Sequence, residues 1–314
     1  MFMIGEGRFS RVFKSQNQLN SQLYAIKVMS PNPKVPEPNI AFYREIQALS
    51  VSNHPNIVKL HEVVQNPQGL SLVMEYLPYR LTQIIQDSVL PEAIVKGMML
   101  MLLRGLSHLH ELGIIHRDIK PSNLLVNSQG ILKICDLGLC RILPDKLSGI
   151  GGSKSGDDTH AWTLQVGTSF YRAPELLLGD RGYGEAVDTW ATGCVMAELL
   201  NGKPLFPGQG DFEQLGLIVD LLGSPDQNSW PGLSQLSDYG RIFFKEKEAI
   251  EISSKFPSWN PEAQDLFKKF IVYEPSRRIS AREAMKHKWF FIEPSPLIAP
   301  FDGKTFDLLN AVSI

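Results

Sequence analysis

The segment His116-Arg117-Asp118-Ile119-Lys120-Pro121-Ser122-Asn123 constrains this chain more than any other. It packs an acid, a base and an amide into six positions, directly after a run that reads as a buried helix. In that run, from Pro91 to near Gly113, Ile94, Met98, Leu102 and Leu106 recur every fourth residue, which predicts a core-facing helix with a glycine just past its end. Its three methionines (98, 99 and 101) read as packing rather than as ligands. A second acid, Asp136, follows Asp118 by 18 positions, behind the apolar strand candidate Ile131–Cys135 and ahead of Leu137-Gly138.

Around this centre the chain divides by texture. Residues 1–77 are strand-rich: Phe9–Lys14 and Gln22–Met29 flank a polar turn and predict a hairpin, and Ile57–Val64 and Leu70–Tyr76 are further strands. Four prolines between Ser30 and Asn39 exclude helix or central strand there, and Ile40–Val51 reads as a helix. Beyond Pro78 helical patterns dominate, at Ala186–Leu200, Phe212–Leu222, Pro261–Phe270 and Ala281–Lys286. The Gly/Ser-rich stretch Ser148–Ser155 is expected to be a flexible loop. At 314 residues the chain suits one large unit or two lobes, since cores tend to split toward ~250–300 residues.

Composition removes several function classes. Thirty-one Lys+Arg against 33 Asp+Glu leave a net charge of -2, which argues against a dedicated nucleic-acid binder. No apolar run approaches the ~18 residues of a membrane span, and no secretory signal is visible. Cys135, Cys140 and Cys194 are too few for a disulfide framework and lack zinc-site spacing. A reducing compartment, cytoplasm or nucleus, is the expectation.

Two weaker signals lie upstream. Gly5-Glu6-Gly7-Arg8-Phe9-Ser10 is a broken G-x-G-x-x-G. A dinucleotide fold would place a helix directly after it, and here a strand candidate follows; a Walker loop would need Gly-Lys-Ser/Thr. A glycine turn between two strands can instead fold over phosphates, because glycine lets backbone N–H groups come close. Ser10 at the third glycine's place implies a less mobile lid. Lys27, in the apolar Ala25-Ile26-Lys27, is costly to bury without an acid, and Glu45 on the predicted helix supplies one; an exposed edge lysine is the alternative.

With Ala173-Pro174-Glu175 the set is complete, and the chain resembles the eukaryotic protein kinases: glycine loop, strand lysine, HRDxxxxN, DFG and APE, in order over most of residues 5–290. The resemblance implies an α+β bilobal kinase fold, with a small β-rich lobe over 1–77, a large α-rich lobe over 78–292 and a tail over 293–314. It implies ATP and Mg²⁺ as cofactors, with Asp118 accepting the substrate hydroxyl proton and Lys120 steadying the γ-phosphate. Asn123 and Asp136 would hold the metal, and Lys27, oriented by Glu45, the α/β-phosphates. Ile4, Gly5 and Gly7 would cover the nucleotide, while Val12, Ala25 and Leu125 would sandwich the adenine. Met74 would be the gatekeeper, with Glu75 and Leu77 giving hinge hydrogen bonds. Lys120 two places after Asp118 resembles Ser/Thr rather than tyrosine kinases. Asp188 and Trp190 resemble scaffold residues, and Arg278 is expected to pair with Glu175.

Phe170–Glu175 and Leu199–Gly208 resemble the branch of cyclin-dependent and MAP kinases, and Asp238–Glu246 is similar to the cell-cycle-related kinases within it. In this branch Arg172 and Gly167 favour a proline after the target Ser or Thr, so protein substrates carrying Ser/Thr-Pro are implied. Thr163, ten residues before Ala173, stands where relatives carry an activating phosphothreonine, with Arg44, Arg117 and Arg141 to receive it and an upstream kinase or autophosphorylation to supply it. Thr159 and Ser169 are lesser candidates. Unphosphorylated, the three guanidiniums are expected to repel one another. The helix of Glu45 only partly matches a cyclin-docking helix, which leaves open a cyclin or cyclin-like activator, another activator, or none.

Three departures from the family pattern stand out. Leu137 replaces the DFG phenylalanine, Arg80 falls where relatives often place an acid for the ribose, and Arg8-Phe9 replaces an inhibitory Thr-Tyr pair. The chain opens almost at Gly5, so a clipped first strand is expected. The rival reading is a pseudokinase-type scaffold, disfavoured by the complete set Lys27, Glu45, Asp118, Asn123 and Asp136.

Overall fold

The computed structural model describes residues 1–7, 10–29, 40–66, 69–86, 89–143, 169–242 and 245–314, with the backbone alone at 40, 41 and 66. The amino-terminal part is a sheet with one helix: β1 (Phe2–Glu6), β2 (Ser10–Gln16), β3 (Leu23–Met29), α1 (Ile40–Val51), β4 (Leu60–Asn66) and β5 (Gly69–Glu75). The strands run antiparallel in the order β1-β2-β3-β5-β4. Residues directly opposite in such a sheet share a face, as do residues two apart on one strand. The pairs Gly5↔Val12, Val12↔Lys27, Lys27↔Leu72 and Ala25↔Met74 therefore put all six side-chain positions on one face.

One strand begins later than its pattern predicts. β4 opens at Leu60 because residues 56–58 are engaged elsewhere: Ile57 bridges in parallel to Ile134, the Val58 N–H donates to the Ile134 carbonyl at 2.9 Å, and the Ile134 N–H donates to the Asn56 carbonyl at 2.9 Å. Asn56 Nδ2 adds a bond to the Leu132 carbonyl, 2.9 Å.

The rest is mostly helical. β6 (Tyr79–Arg80) and α2 (Leu81–Ile85) lead to α3 (Glu92–Glu111), followed by β7 (Ile114–Ile115), β8 (Leu124–Val126), β9 (Leu132–Ile134) and β10 (Arg141–Ile142). Then come α4 (Pro174–Leu177), α5 (Ala186–Asn201), α6 (Asp211–Leu222), α7 (Ile252–Lys255), α8 (Pro261–Phe270) and α9 (Ala281–Ala284), with the ribbon β11 (Leu297–Ile298) and β12 (Val312–Ser313) near the end. Helix α3 forms the centre. Ile94, Met98, Leu102 and Leu106 are buried, each contributing about 1.5–3 kcal/mol of apolar burial. It stops at Leu112 because Gly113 turns left-handed at φ +73°.

α5 is buried on almost every side, and Trp190 within it stacks on Phe206 at 6.0 Å and on the Arg278 guanidinium at 5.0 Å. Arg278 grips Glu175 through two bonds, 2.6 and 2.7 Å, in full burial.

The carboxy-terminal stretch is built into this core. Lys96 is fully buried on α3, and its ammonium donates to the Ile292 and Pro294 carbonyls at 2.9 Å each. A Cβ at Gly97 would collide with the Leu297 carbonyl, and one at Gly130 with that of Ala299, so both glycines permit close backbone approach. The Phe301 N–H then donates to the Ser128 carbonyl at 2.9 Å, and the Phe301 ring meets Tyr79 edge-on at 4.9 Å. The three cysteines are free thiols, and no helix among the described residues is long and apolar enough to cross a membrane.

Candidate active site

The loop after β7 is shaped by one buried carboxylate. Asp188 on α5 accepts the His116 N–H at 2.8 Å, the Arg117 N–H at 2.7 Å and a bond from His110 Nε2 at 2.9 Å. Burial alone would raise its pKa, but these partners hold it below the ordinary carboxylate value. They also fix Arg117 at φ +70°, a conformation that costs a non-glycine residue about 1–3 kcal/mol. His116 is buried, its Nδ1 accepts the Asp118 N–H at 3.2 Å, and the proton on Nε2 therefore goes to the Cys135 carbonyl, 3.0 Å away. One imidazole thus ties the Asp118 loop to the residue preceding Asp136.

Within the loop, Asp118 Oδ2 lies 2.8 Å from Lys120 Nζ and 2.8 Å from Asn123 Nδ2. Asn123 also bonds the Asp118 carbonyl at 2.8 Å, so acid, base and amide form one unit. Opposite stands Asp136, left-handed at φ +62°, with its Oδ1 2.9 Å from Lys27 Nζ. Lys27 also bonds both oxygens of Glu45 at 2.7 Å, so three segments far apart in sequence meet at one ammonium. Burial would lower the Lys27 pKa, but the charges of Asp136 and Glu45 outweigh it and hold the ammonium above its ordinary value. Asp136 is held below its usual value: burial opposes ionisation, and Lys27 prevails. Glu45 is pushed up by burial, with the Asp136 charge adding to it against Lys27. Leu137 is fully buried and its turn packs on α1, so the leucine forms an apolar plug against the helix that carries Glu45. Gly138 stands where a Cβ would come within 3.5 Å of Glu45 Oε2.

The sheet face defined by register comes close to β6 at Gly5, where a Cβ would lie 3.2 Å from Arg80 Nη2. Val12 and Ala25 share that face with Met74, which is buried, and Leu125 pairs with Arg80 across β8 and β6. Ile4 and Gly5 are on β1, and the Gly7 N–H donates to the Ser10 carbonyl at 2.8 Å, closing the tight turn. The Glu75 N–H is already donated to the Lys59 carbonyl at 3.0 Å, whereas the Leu77 N–H has no partner among the described residues. The Glu75 carboxylate is occupied by Lys133 Nζ at 2.7 Å. Cys135, one step before Asp136, has its thiol pKa pushed well up by burial, and burial pushes Cys140 up to about 12; neither is a reactive thiolate.

Two of the arginines expected to gather at Thr163 meet a common aromatic ring. Arg117 and Arg141 each lie 5.3 Å from the centroid of the Tyr183 ring, which attracts both guanidiniums. The Arg44 carbonyl is 3.9 Å from Cys140 Sγ. Tyr183 carries no periodic or motif signal; its only flag is its place between Gly182 and Gly184. Arg172 pairs with Asp211 of α6 at 2.8 Å. Thr163, Thr159 and Gly167 lie outside the described residues, as do Arg8 and Phe9. Ser169 is buried, its hydroxyl near the Gly208 carbonyl at 3.4 Å, which does not suit a phosphorylation site.

This combination of a shared lysine and a knit Asp-Lys-Asn loop agrees with the family comparison: residues 2–290 match the protein kinase domain. The chain belongs to that family, whose members generally use ATP and Mg²⁺, and within it to the cyclin-dependent-kinase-like serine/threonine kinases. It is similar to Cyclin-dependent kinase 20 of Danio rerio, 43% identical over 297 residues, which covers 93% of this chain and 83% of that protein. The Cyclin-dependent kinase 20 of Homo sapiens is 39% identical over 297 residues, covering 93% of this chain and 82% of its own.

Proposed function

We propose that this kinase moves the γ-phosphoryl group of ATP to Ser or Thr hydroxyls followed by proline, and that a phosphate on Thr163 switches it on. The observation that carries the transfer chemistry is the meeting of Lys27, Glu45 and Asp136 at 2.7–2.9 Å, opposite the Asp118-Lys120-Asn123 unit. Phosphoryl transfer asks for positioning and charge stabilisation rather than covalent help, and this arrangement supplies both. Asp118 takes the proton as the substrate oxygen bonds to phosphorus. The bond to the β–γ bridging oxygen breaks, and ADP leaves with that electron pair. Lys120, now on Asp118, is in reach to steady the transferred group. Lys27 holds the α/β-phosphates.

The oxygens of Asp136 and Asn123 suit a hard cation, and Asp136 already sits low enough in pKa to be ionised. Bound there, Mg²⁺ would neutralise charge on the phosphates. The base is sandwiched by Val12, Ala25 and Leu125, with the free Leu77 N–H and the Glu75 carbonyl facing it at the hinge.

Preference for proline rests on Arg172 and Gly167, by resemblance, with Arg172 anchored by Asp211. Activation rests on Arg44, Arg117 and Arg141. A phosphate adds about −1.5 to −2 charges and three acceptors, which can draw these arginines together and set Glu45 against Lys27. An upstream kinase, or autophosphorylation, supplies it. A cyclin-like partner on α1 would act on the same pair. A cytoplasmic or nuclear setting suits the three free thiols.

The test is radiolabelled transfer from ATP to matched Ser-Pro and Ser-Ala peptides by wild type, Asp118→Asn and Thr163→Ala. Transfer to Ser-Pro alone is expected, near zero in Asp118→Asn and strongly reduced in Thr163→Ala. Equal rates for the two peptides remove the proline preference. A Thr163→Ala protein as fast as phosphorylated wild type removes the switch.

A further inference from the structure

The outer edge of the cleft carries a cation that the transfer chemistry does not use. Arg80 pairs with Leu125 across β6 and β8, so both occupy the cleft-facing side of that ribbon. Its guanidinium reaches β1: a Cβ on Gly5 would lie only 3.2 Å from Arg80 Nη2. The side chain is exposed, and its guanidinium makes no hydrogen bond or ion pair among the described residues, while the backbone N–H donates to Gln83 Oε1 at 2.9 Å. Positioning comes from behind. Tyr79, on the opposite face of the ribbon, is packed between Phe301 at 4.9 Å and Gly303, whose Cβ would stand 3.1 Å from the ring. The carboxy-terminal stretch thus fixes the ribbon from which this guanidinium extends beside Gly5.

That place has a chemical meaning if the cleft binds a nucleotide as proposed above, on which this inference rests. The base slot lies between Val12 and Leu125, and the phosphate end lies at Lys27. The sugar must connect the two along β1, where Gly5 is paired with Val12. Arg80 then faces the ribose hydroxyls. A hydroxyl offers a guanidinium one bond to a neutral acceptor, whereas a phosphate offers two parallel bonds between opposite charges. In dinucleotide-binding folds the same exchange of acid for arginine at the sugar edge separates a free ribose hydroxyl from a phosphorylated one. We propose that Arg80 makes this cleft a site for adenine nucleotides carrying a phosphate ester on the ribose, which would compete with ATP.

The experiment is calorimetric titration of the full chain, at one ionic strength and Mg²⁺ concentration, with ADP and with its 2′-phosphorylated and 3′-phosphorylated derivatives. Wild type, Arg80→Ala and Arg80→Asp are compared, with melting curves to confirm folding at this exposed position. One derivative is expected to bind wild type about tenfold or more tightly than ADP, a preference worth about 1.4 kcal/mol, and its identity tells which hydroxyl faces Arg80. The affinity ratio should fall to about one in Arg80→Ala and below one in Arg80→Asp. Equal affinity of all three nucleotides for wild type, or a preference that survives Arg80→Ala, overturns the proposal while leaving the nucleotide site standing. Failure of all three to bind overturns the nucleotide reading itself, and this one with it.

Discussion

Two ion pairs, each joining residues distant in sequence, behave in opposite ways. Arg278 in the helical part is saturated: it bonds Glu175 twice, the Val272, Ala186 and Tyr273 carbonyls once each, and lies on Trp190. Lys27 in the cleft is divided between Glu45 and Asp136, and the Asp136 side chain is 50% exposed. A saturated pair has one arrangement and serves the fold. A shared pair has spare acceptor capacity, so a ligand or a shift of α1 can redistribute it. Exposure and the number of partners together separate the structural pair from the functional one.

Three measurements test this contrast. The largest effect should follow Arg278→Ala, which strands the Glu175 carboxylate in the core: a loss of about 3–5 kcal/mol in unfolding free energy by denaturant titration. Stability unchanged within error would mean that the pair is not the clamp its five bonds imply. Next, Lys27→Met should lower phosphoryl transfer by about a hundredfold or more, roughly 2.7 kcal/mol in barrier, while its melting temperature falls less than that of Arg278→Ala. Wild-type turnover would sink the role given to the shared ammonium.

The smallest effect is one of pH. Glu45 has a folded-state pKa above its unfolded value, so its contribution is most favourable below the unfolded value and is lost as pH rises through the folded one. Removing Lys27 removes the main influence that keeps Glu45 ionised, and the folded value climbs further. The stability gap between wild type and Lys27→Met should therefore widen as pH rises from about 5 to 8, on the order of 1 kcal/mol. A gap independent of pH would show that Glu45 is not the carboxylate left uncompensated.

What could be read from sequence follows from where each signal resides. The Asp118-Lys120-Asn123 unit and the Lys27/Glu45 pair were readable because side-chain chemistry is written in residue type, and helix α1 was readable from periodicity alone. The start of β4 was misjudged because the β-branched run Ile57-Val58 fits a strand, and nothing local reveals that its backbone bonds go to β9. The docking of residues 293–314 left no trace for a related reason. It is made by carbonyls accepting from Lys96 and by the missing side chains of Gly97 and Gly130. Tyr183 was missed because an aromatic that collects two arginines from other segments looks like any loop tyrosine until the chain is folded.

The stitching of residues 56–58 to β9 anchors one end of α1 and would let the helix act as a lever. Its carboxy-terminal end, at Val51, is a few residues from backbone bonds anchored in the helical part, while its other end, at Ile40, points away from them. With a rise of about 1.5 Å per residue, Glu45 lies about 9 Å along the helix from Val51 and Ile40 about 16 Å. Rotation of a tenth of a radian about that fulcrum moves Glu45 by about 0.9 Å and the far end by about 1.6 Å. A push at Ile40 thus reaches Lys27 with a mechanical advantage of nearly two, and a carboxylate withdrawn by about 0.9 Å from a 2.7 Å contact has left hydrogen-bond range.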